Sequence, residues 1–461
     1  MIFENKSGKR WVVVKSIFLI FLLLVLTLST CYVLDHYGYY KFPVMVEWIH
    51  FCGSILLYIF VAYILVTIII GFIRMFIIFY FVARQVRRKK IIHKYKKANR
   101  KILRPYRPFV SVIIPVYNEE VVIRRTIHSI LKSNYPLLEI LVVDDGSTDR
   151  TASIIRKEFA KYHRVHFIRK RNGGKSSALN CGIDYAIGDI IVTIDADTMF
   201  KKSTISYLVR QFSDPNVAAV SGNCKVGNIR NQVTLWQHIE YVTANNLDKR
   251  AFEEINAITI VPGSNSAWRK SVIQRVGYFE DDTLAEDTDL TLKVINSGYK
   301  IIYEHRAISY EEVPETIKDF LKQRFRWSYG ILQAIWKHRK TIRKSNNKML
   351  KYVAIPSLLY NYLLFLTMPI VDIMFIWALI NGYVSIYIFA LIFYLTDFLN
   401  SYVAFKVGKE NKKPLYWIVV QRLAYRVFFA YITWKTFYRA IKGRKVGWTN
   451  LKRTGNNSFK S

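Results

Sequence analysis

Apolar runs of membrane length at both ends of the chain leave it few folds. The first covers about residues 12–34, broken only by Lys15, and the second about residues 54–83. Each is long enough to cross a bilayer. A cleaved signal peptide is the competing reading of the first run. It is disfavoured because the run is long, no small-x-small cleavage site follows, and a second run comes soon after. Apolar runs return after Lys351, at about residues 358–380, 384–405 and 416–438. Pro369 and Asp372 lie in the first of these, and Gln421, Arg422 and Arg426 lie in the last. Such residues are costly in lipid, so the last run either spans, with the tail outside, or lies at the interface or lines a polar channel without a full crossing. A cytosolic tail, favoured by the charge rule, fits the second arrangement.

Charge agrees with a membrane partner. The net charge is +35 over 461 residues. Nucleic acid is the other ordinary partner of so basic a chain, but the apolar runs decide against it and no nucleic-acid partner is expected. Basic residues cluster beside the runs, as in Arg84-Gln85-Val86-Arg87-Arg88-Lys89-Lys90, which suits anionic headgroups. The positive-inside rule puts the N-terminus and everything after Arg84 in the cytoplasm, so the chain is expected to be a multi-pass protein of the plasma membrane. Cys181 and Cys224 are expected as free cytosolic thiols, and Cys31 and Cys52 as small membrane-embedded residues; no CxxC pair suggests zinc.

Between the runs the pattern changes. Short β-branched runs at residues 110–116, 139–143, 165–168 and 190–194 alternate with amphipathic stretches, the signature of an α/β fold with a mainly parallel sheet. The expected division is two N-terminal transmembrane helices (1–83), a basic linker (84–108), a cytosolic α/β domain (109–345), two or three transmembrane or interfacial helices (346–440) and a basic tail (441–461).

The candidate site residues sit just past strand ends, where open α/β sheets place ligands. Asn118 is placed to cap a helix with Glu119 and Glu120 in its first turn, and Glu119 is a substrate-binding candidate. Asp144 and Asp145, in Val143-Asp144-Asp145-Gly146, can accept from a base or ribose; the bland alternative is an Asp/Gly turn with Asp149 capping a helix. Asn172-Gly173-Gly174-Lys175-Ser176 is no Walker loop, because Arg169 stands where that pattern needs Gly. A glycine turn opening a helix can still meet a phosphate, with Lys175 as the substrate-binding candidate. Asp195-Ala196-Asp197 follows a strand, and its two carboxylates can share a Mg²⁺ or Mn²⁺ ion with substrate phosphates. Alone it reads as a solvated turn. Asp287, in Glu286-Asp287-Thr288-Asp289, can serve as general base; the alternative is helix N-terminal acids favoured by the dipole. In Gln323-Arg324-Phe325-Arg326-Trp327, Arg326 offers a fork for a diphosphate. Trp327 offers a face for a sugar ring, and Gln323 lies one turn away on roughly the same side.

This ordered set resembles the processive, membrane-integrated family 2 glycosyltransferases, such as the poly-N-acetylglucosamine, hyaluronan and cellulose synthases. The resemblance covers about residues 105–345 closely and the flanking spans loosely. It is strongest to the poly-N-acetylglucosamine branch around residues 284–290 and 323–338, without a deacetylase domain. It implies a GT-A fold, a UDP-sugar donor, a polysaccharide acceptor and inversion at the anomeric carbon. By the resemblance, Asp144 and Asp145 would contact the uridine, Asp195 and Asp197 the metal, and Asp287 would be the base. Gln323, Arg326 and Trp327 would bind the diphosphate and the acceptor end. Ala285 stands where the family has Thr, which removes only a neighbouring hydroxyl. Trp448-Thr449-Asn450-Leu451-Lys452-Arg453 resembles the gating loop of cellulose synthases. The alternatives are transfer of one sugar to a lipid phosphate, and a nucleotide-binding transporter or secretion scaffold without catalysis.

Overall fold

The computed structural model describes residues 43–99, 106–380, 385–443 and 454–457, with isolated positions before 43. The expected span at 12–34 and the segment 448–453 lie outside these stretches. The chain divides into two compact units: residues 78–436 with 1–2 and 447–461, and residues 3–77 with 437–446. The sheet and the candidate site belong to the first.

Among the described residues its strands are β1 (Val110–Val116), β2 (Leu138–Asp144), β3 (Val165–Arg169), β4 (Ile190–Thr193), β5 (Thr198–Phe200), β6 (Val217–Val226), β7 (Ser266–Arg269) and β8 (Lys300–Glu311). They form one sheet in the order β3-β2-β1-β4-β7-β6-β8-β5. Neighbours from β3 to β4 run parallel, as do β6 and β8. Strand β7 runs antiparallel to both β4 and β6, and β5 to β8. The parallel strands are apolar nearly throughout because helices cover both faces. On one face Ile127, Ile130, Ile155 and Phe159 meet Val112, Ile114, Ile140 and Val142. On the other, Leu179, Ile183 and Leu290 meet Ile113, Leu141 and Val143. Truncating a residue such as Ile113 to Ala would cost about 2–5 kcal/mol.

The helices, in chain order, begin with α1 (Pro43–Ala98), α2 (Ile123–Leu131), α3 (Thr151–Phe159), α4 (Lys175–Tyr185), α5 (Thr204–Val209), α6 (Gln232–Asn246) and α7 (Asp248–Glu254). They continue with α8 (Lys270–Val276), α9 (Glu286–Asn296), α10 (Ile317–Lys344), α11 (Ile355–Ile380), α12 (Ser385–Gly408) and α13 (Ile418–Lys442). Among the described residues two helical stretches, Val61–Tyr95 and Leu350–Ile376, are long and apolar enough to cross a membrane. Helix α1 continues through the basic run after Ala83 to Ala98. Arg88 and Lys89 there pair with Glu253 at 3.1 and 3.0 Å, and Gln85 donates to the same carboxylate.

Asn118 does not cap α2. It takes the left-handed conformation, φ +56°, which asparagine tolerates. Its side-chain oxygen accepts from the N–H groups of Thr148 and Asp149, tying the loop after β1 to the loop after β2. Asp149 accepts from Thr151 N–H at 2.9 Å at the start of α3. The costly residues of the last apolar run find partners. Arg422 faces Asp397 at 3.5 Å, Arg426 pairs with Asp372, and Gln421 donates to the Trp236 carbonyl at 2.8 Å. Thr454 N–H donates to Glu312 at 2.7 Å, and Arg125 donates to the Gly455 carbonyl. This part of the tail therefore docks on the α/β domain.

Candidate active site

The turn between β4 and β5 closes through Thr198 N–H, which donates to the Asp195 carbonyl at 3.1 Å. Asp197, at its far end, is buried and accepts from the Thr198 hydroxyl at 3.2 Å. Asp195 instead faces Lys175, whose Nζ lies 2.7 Å from Asp195 Oδ1 and 3.1 Å from Glu286 Oε1. Lys175 is the first residue of α4 and follows directly on the Gly173-Gly174 turn. Gly174 has φ +87°, a conformation that favours glycine.

That turn does not hold its N–H groups open for phosphate. Asp145 accepts from Gly173 and Gly174 N–H, at 3.0 and 2.7 Å, and from Lys170 Nζ at 2.7 Å. Asp144 is fully buried, accepts from Ser147 N–H at 2.9 Å and lies 3.3 Å from Arg169 Nε. Glu119 belongs to the adjoining loop pair, where its N–H donates to the Thr151 hydroxyl at 2.8 Å.

Asp287 stands in the first turn of α9. Its Oδ1 accepts from Thr288 N–H at 2.7 Å, and its Oδ2 from Gly263 N–H at 3.4 Å. Gly263 also borders Lys175: a Cβ there would lie 3.1 Å from Nζ. Asp195, Lys175, Glu286 and Asp287 thus share one cluster, with three carboxylates to one ammonium. Burial and the neighbouring Glu286 push Asp287 up to about 6, against the opposing pull of Lys175. Burial alone would lower Lys175, but Asp195 and Glu286 reverse that and raise it.

Gln323 and Trp327 lie on α10 around a residue the sequence reading did not select. Arg324 is buried; it donates to Gln323 Oε1 at 2.6 Å and to Glu240 at 2.9 Å. Its guanidinium sits 4.2 Å from the centre of the Trp327 ring. The available signal was the three-residue step from Arg324 to Trp327, which puts both on one helix face. Arg326, two positions on from Arg324, is half-buried and points about 200° around the helix from it. The same helix meets the residues just before Asp287. At Gly330 a Cβ would lie 2.7 Å from the Ala285 nitrogen, so only glycine permits this approach. Gln333 Oε1 accepts from Leu284 N–H at 3.1 Å.

The donors at Asp195 and Asp197 are hard carboxylate oxygens, and that chemistry fits Mg²⁺ or Mn²⁺. Among the described residues another acidic group, Glu280, Asp282 and Asp289, has oxygens within 4.8 Å of one another. Lys337 contacts all three of its carboxylates, so it is an ion-paired cluster rather than a metal cradle.

The sequence pattern of glycosyl transferase family 2 matches residues 111–277. Over 356 residues the chain is 31% identical to the poly-beta-1,6-N-acetyl-D-glucosamine synthase of Staphylococcus epidermidis, covering 74% of this chain and 85% of the relative. The chain is a family 2 glycosyltransferase. This glycosyltransferase is also 39% identical over 231 residues to the probable glycosyltransferase YdaM of Bacillus subtilis, covering 48% of its own length and 55% of that relative. It therefore spans about half of YdaM. Among solved structures, the mannosyltransferase PcManGT of Pyrobaculum calidifontis, in complex with GDP-Man and Mn²⁺, superposes with a TM-score of 0.51 at 25% identity. That match covers 78% of the glycosyltransferase and 98% of PcManGT. The α/β fold is accordingly GT-A-like.

Proposed function

We propose that this glycosyltransferase adds N-acetylglucosamine units from a UDP-sugar to a growing polysaccharide at the cytosolic face of a membrane, inverting the anomeric carbon, and passes the product along its apolar helices. The observation that carries this reading is the placement of α10. One end of that helix holds Gln323 and Trp327 around Arg324, whose partner Glu240 also accepts from Tyr425 of α13. Farther along, it packs on Leu284 and Ala285, just before Asp287. An acceptor end held at Trp327 would thus lie between the base and the C-terminal helices. The name of the Staphylococcus relative supports the sugar and the polymer, and PcManGT supports a nucleotide-sugar donor and a divalent ion.

In this scheme Asp287 takes the proton of the acceptor hydroxyl while that oxygen attacks the anomeric carbon. The bond from that carbon to the diphosphate oxygen breaks, and UDP leaves. Arg326 and Lys175 stabilise the departing charge. Asp195 and Asp197 would hold a Mg²⁺ or Mn²⁺ ion, which supplies further positive charge against the diphosphate. Asp144, Asp145 and Glu119 shape the rim for the nucleoside. Gln323 and Trp327 seat the acceptor sugar.

The test uses membranes carrying the full chain, a panel of UDP-sugars and GDP-mannose, and Mg²⁺ or Mn²⁺. UDP release from UDP-N-acetylglucosamine with a long product on a sizing gel is expected. A single-sugar lipid product would replace the polymer reading. Absence of nucleotide release from every donor would point instead to the transporter or scaffold.

A further inference from the structure

One buried cluster stands between the base and the helix of Gln323 and Trp327. Asp289, two residues after Asp287, is fully buried. Its Oδ1 lies 2.8 Å from His338 Nε2 and 2.9 Å from Lys337 Nζ, and its Oδ2 lies 3.5 Å from Lys293 Nζ. His338 and Lys337 are on α10, about three turns beyond Trp327. Lys337 also holds Asp282 at 2.7 Å and pairs with Glu280. The Glu280 carbonyl in turn accepts from the Ser176 hydroxyl at 3.0 Å, next to Lys175. With Gly330 against Ala285 and Gln333 on Leu284 N–H, α10 grips residues 280–289 at three successive levels of one face.

Three levels of contact fix rotation as well as distance. Burying a charged pair costs more than an apolar contact of equal volume, so bulk stability alone does not explain this cluster. The two acids of the same helical turn also behave oppositely. Burial raises Asp287, whereas at Asp289 the bonds from His338 and Lys337 outweigh burial and hold the carboxyl below its ordinary range.

We propose that Asp289 and His338 are positioning residues for the transfer, locking the first turn of α9 to α10 so that Asp287 stands at working distance from an acceptor held by Gln323 and Trp327. The inference rests on Asp287 being the base. It is tested with His338→Leu, His338→Gln and Asp289→Asn in the full chain, in membranes, with the donor that supports turnover. His338→Leu and Asp289→Asn are expected to lower kcat about tenfold while KM for the donor stays within about threefold, the pattern of a lost transition-state alignment. His338→Gln, whose amide can still donate to Asp289, is expected to recover most of kcat. Amide hydrogen exchange over 284–289 should rise in the Leu variant and not in the Gln variant. Arg124→Ala, which breaks an exposed pair with Glu158 elsewhere on the domain, is the control and should leave both readouts unchanged. A kcat loss below about threefold in His338→Leu, or a Gln variant no better than the Leu variant, overturns the proposal. If the native chain turns over no donor, the base assignment is lost. Exchange alone then decides the lock, and equal rates in native and Leu forms overturn it.

Discussion

Two sets of carboxylates line the same edge of the sheet and are treated differently by the fold. Asp144 and Asp145 are matched by protein donors: two backbone N–H groups and Lys170 for Asp145, and Ser147 N–H with Arg169 for Asp144. Asp195, Glu286 and Asp287 share the ammonium of Lys175, and Lys249 also acts on Asp287. The first set is held largely by protein donors, with Asp144 Oδ2 left to the ion pair with Arg169 alone, and serves as a frame. The second is left short of positive charge, so it can take up a cation or a proton when one arrives. Chemistry is expected at the unbalanced set, and shape at the balanced one.

The largest break in that contrast is Asp287→Asn. Turnover should fall by about 10³-fold, the usual weight of a positioned base, while UDP binding persists. The folded protein should meanwhile gain stability. Asp287 titrates at about 6 in the fold, above its unfolded value. Its contribution to stability is therefore full below the unfolded pKa and lost as pH rises through 6. At pH 7.5 the ionised carboxylate destabilises the fold, and the neutral amide should recover about 1–3 kcal/mol by linkage. Thermal melts beside UDP-release assays check both signs. A variant that keeps turnover would move the chemistry elsewhere.

The next effect is on pH dependence. Log kcat/KM should decline as pH falls through about 6, because Asp287 must be ionised to act as the proposed base. Asp145→Asn should not move that limb. It should instead lower stability by about 1–3 kcal/mol, since a buried acceptor of two backbone amides and Lys170 is altered, and raise KM for the donor more than it lowers kcat.

How much of this was legible in the sequence differs between the same two sets. The strands from residue 110 to 194 read clearly because the apolar runs were short and punctuated by Asp, Asn and Gly. The acidic motifs at Asp144-Asp145 and Asp195-Ala196-Asp197 stand out because each sits just past such a run, whereas Glu286 and Asp287 open a helix. What did not read was partnership. The Gly173-Gly174 turn resembles a phosphate loop until Asp145 is seen to occupy its N–H groups, a contact across 28 residues. Arg324 and Arg326 look equivalent in a row of five; helix phase and Glu240, 84 residues away, separate them. The cluster of Asp289 with His338 spans 49 residues. Composition carries no trace of it, because its members look like ordinary helix-surface charges. Arg422 and Arg426 looked too costly for an apolar run until Asp397 and Asp372 appeared opposite them.

The sharpest form of the comparison uses one substitution at two lysines five positions apart. Lys170→Met removes one of three donors from Asp145, and the two glycine N–H groups remain. A carboxylate still held by backbone amides keeps its place, so the loss should be about 1 kcal/mol or less in stability, with kcat nearly native. Lys175→Met removes the cation that pairs with both Asp195 and Glu286. Their charges then act on Asp287 without the pull of Lys175. The acid limb of kcat/KM should shift upward by about one pH unit, and turnover near neutrality should fall about tenfold or more. If the two methionine variants behave alike, the excess of negative charge at Asp195, Glu286 and Asp287 has no catalytic meaning, and the two sets of carboxylates are both parts of the frame.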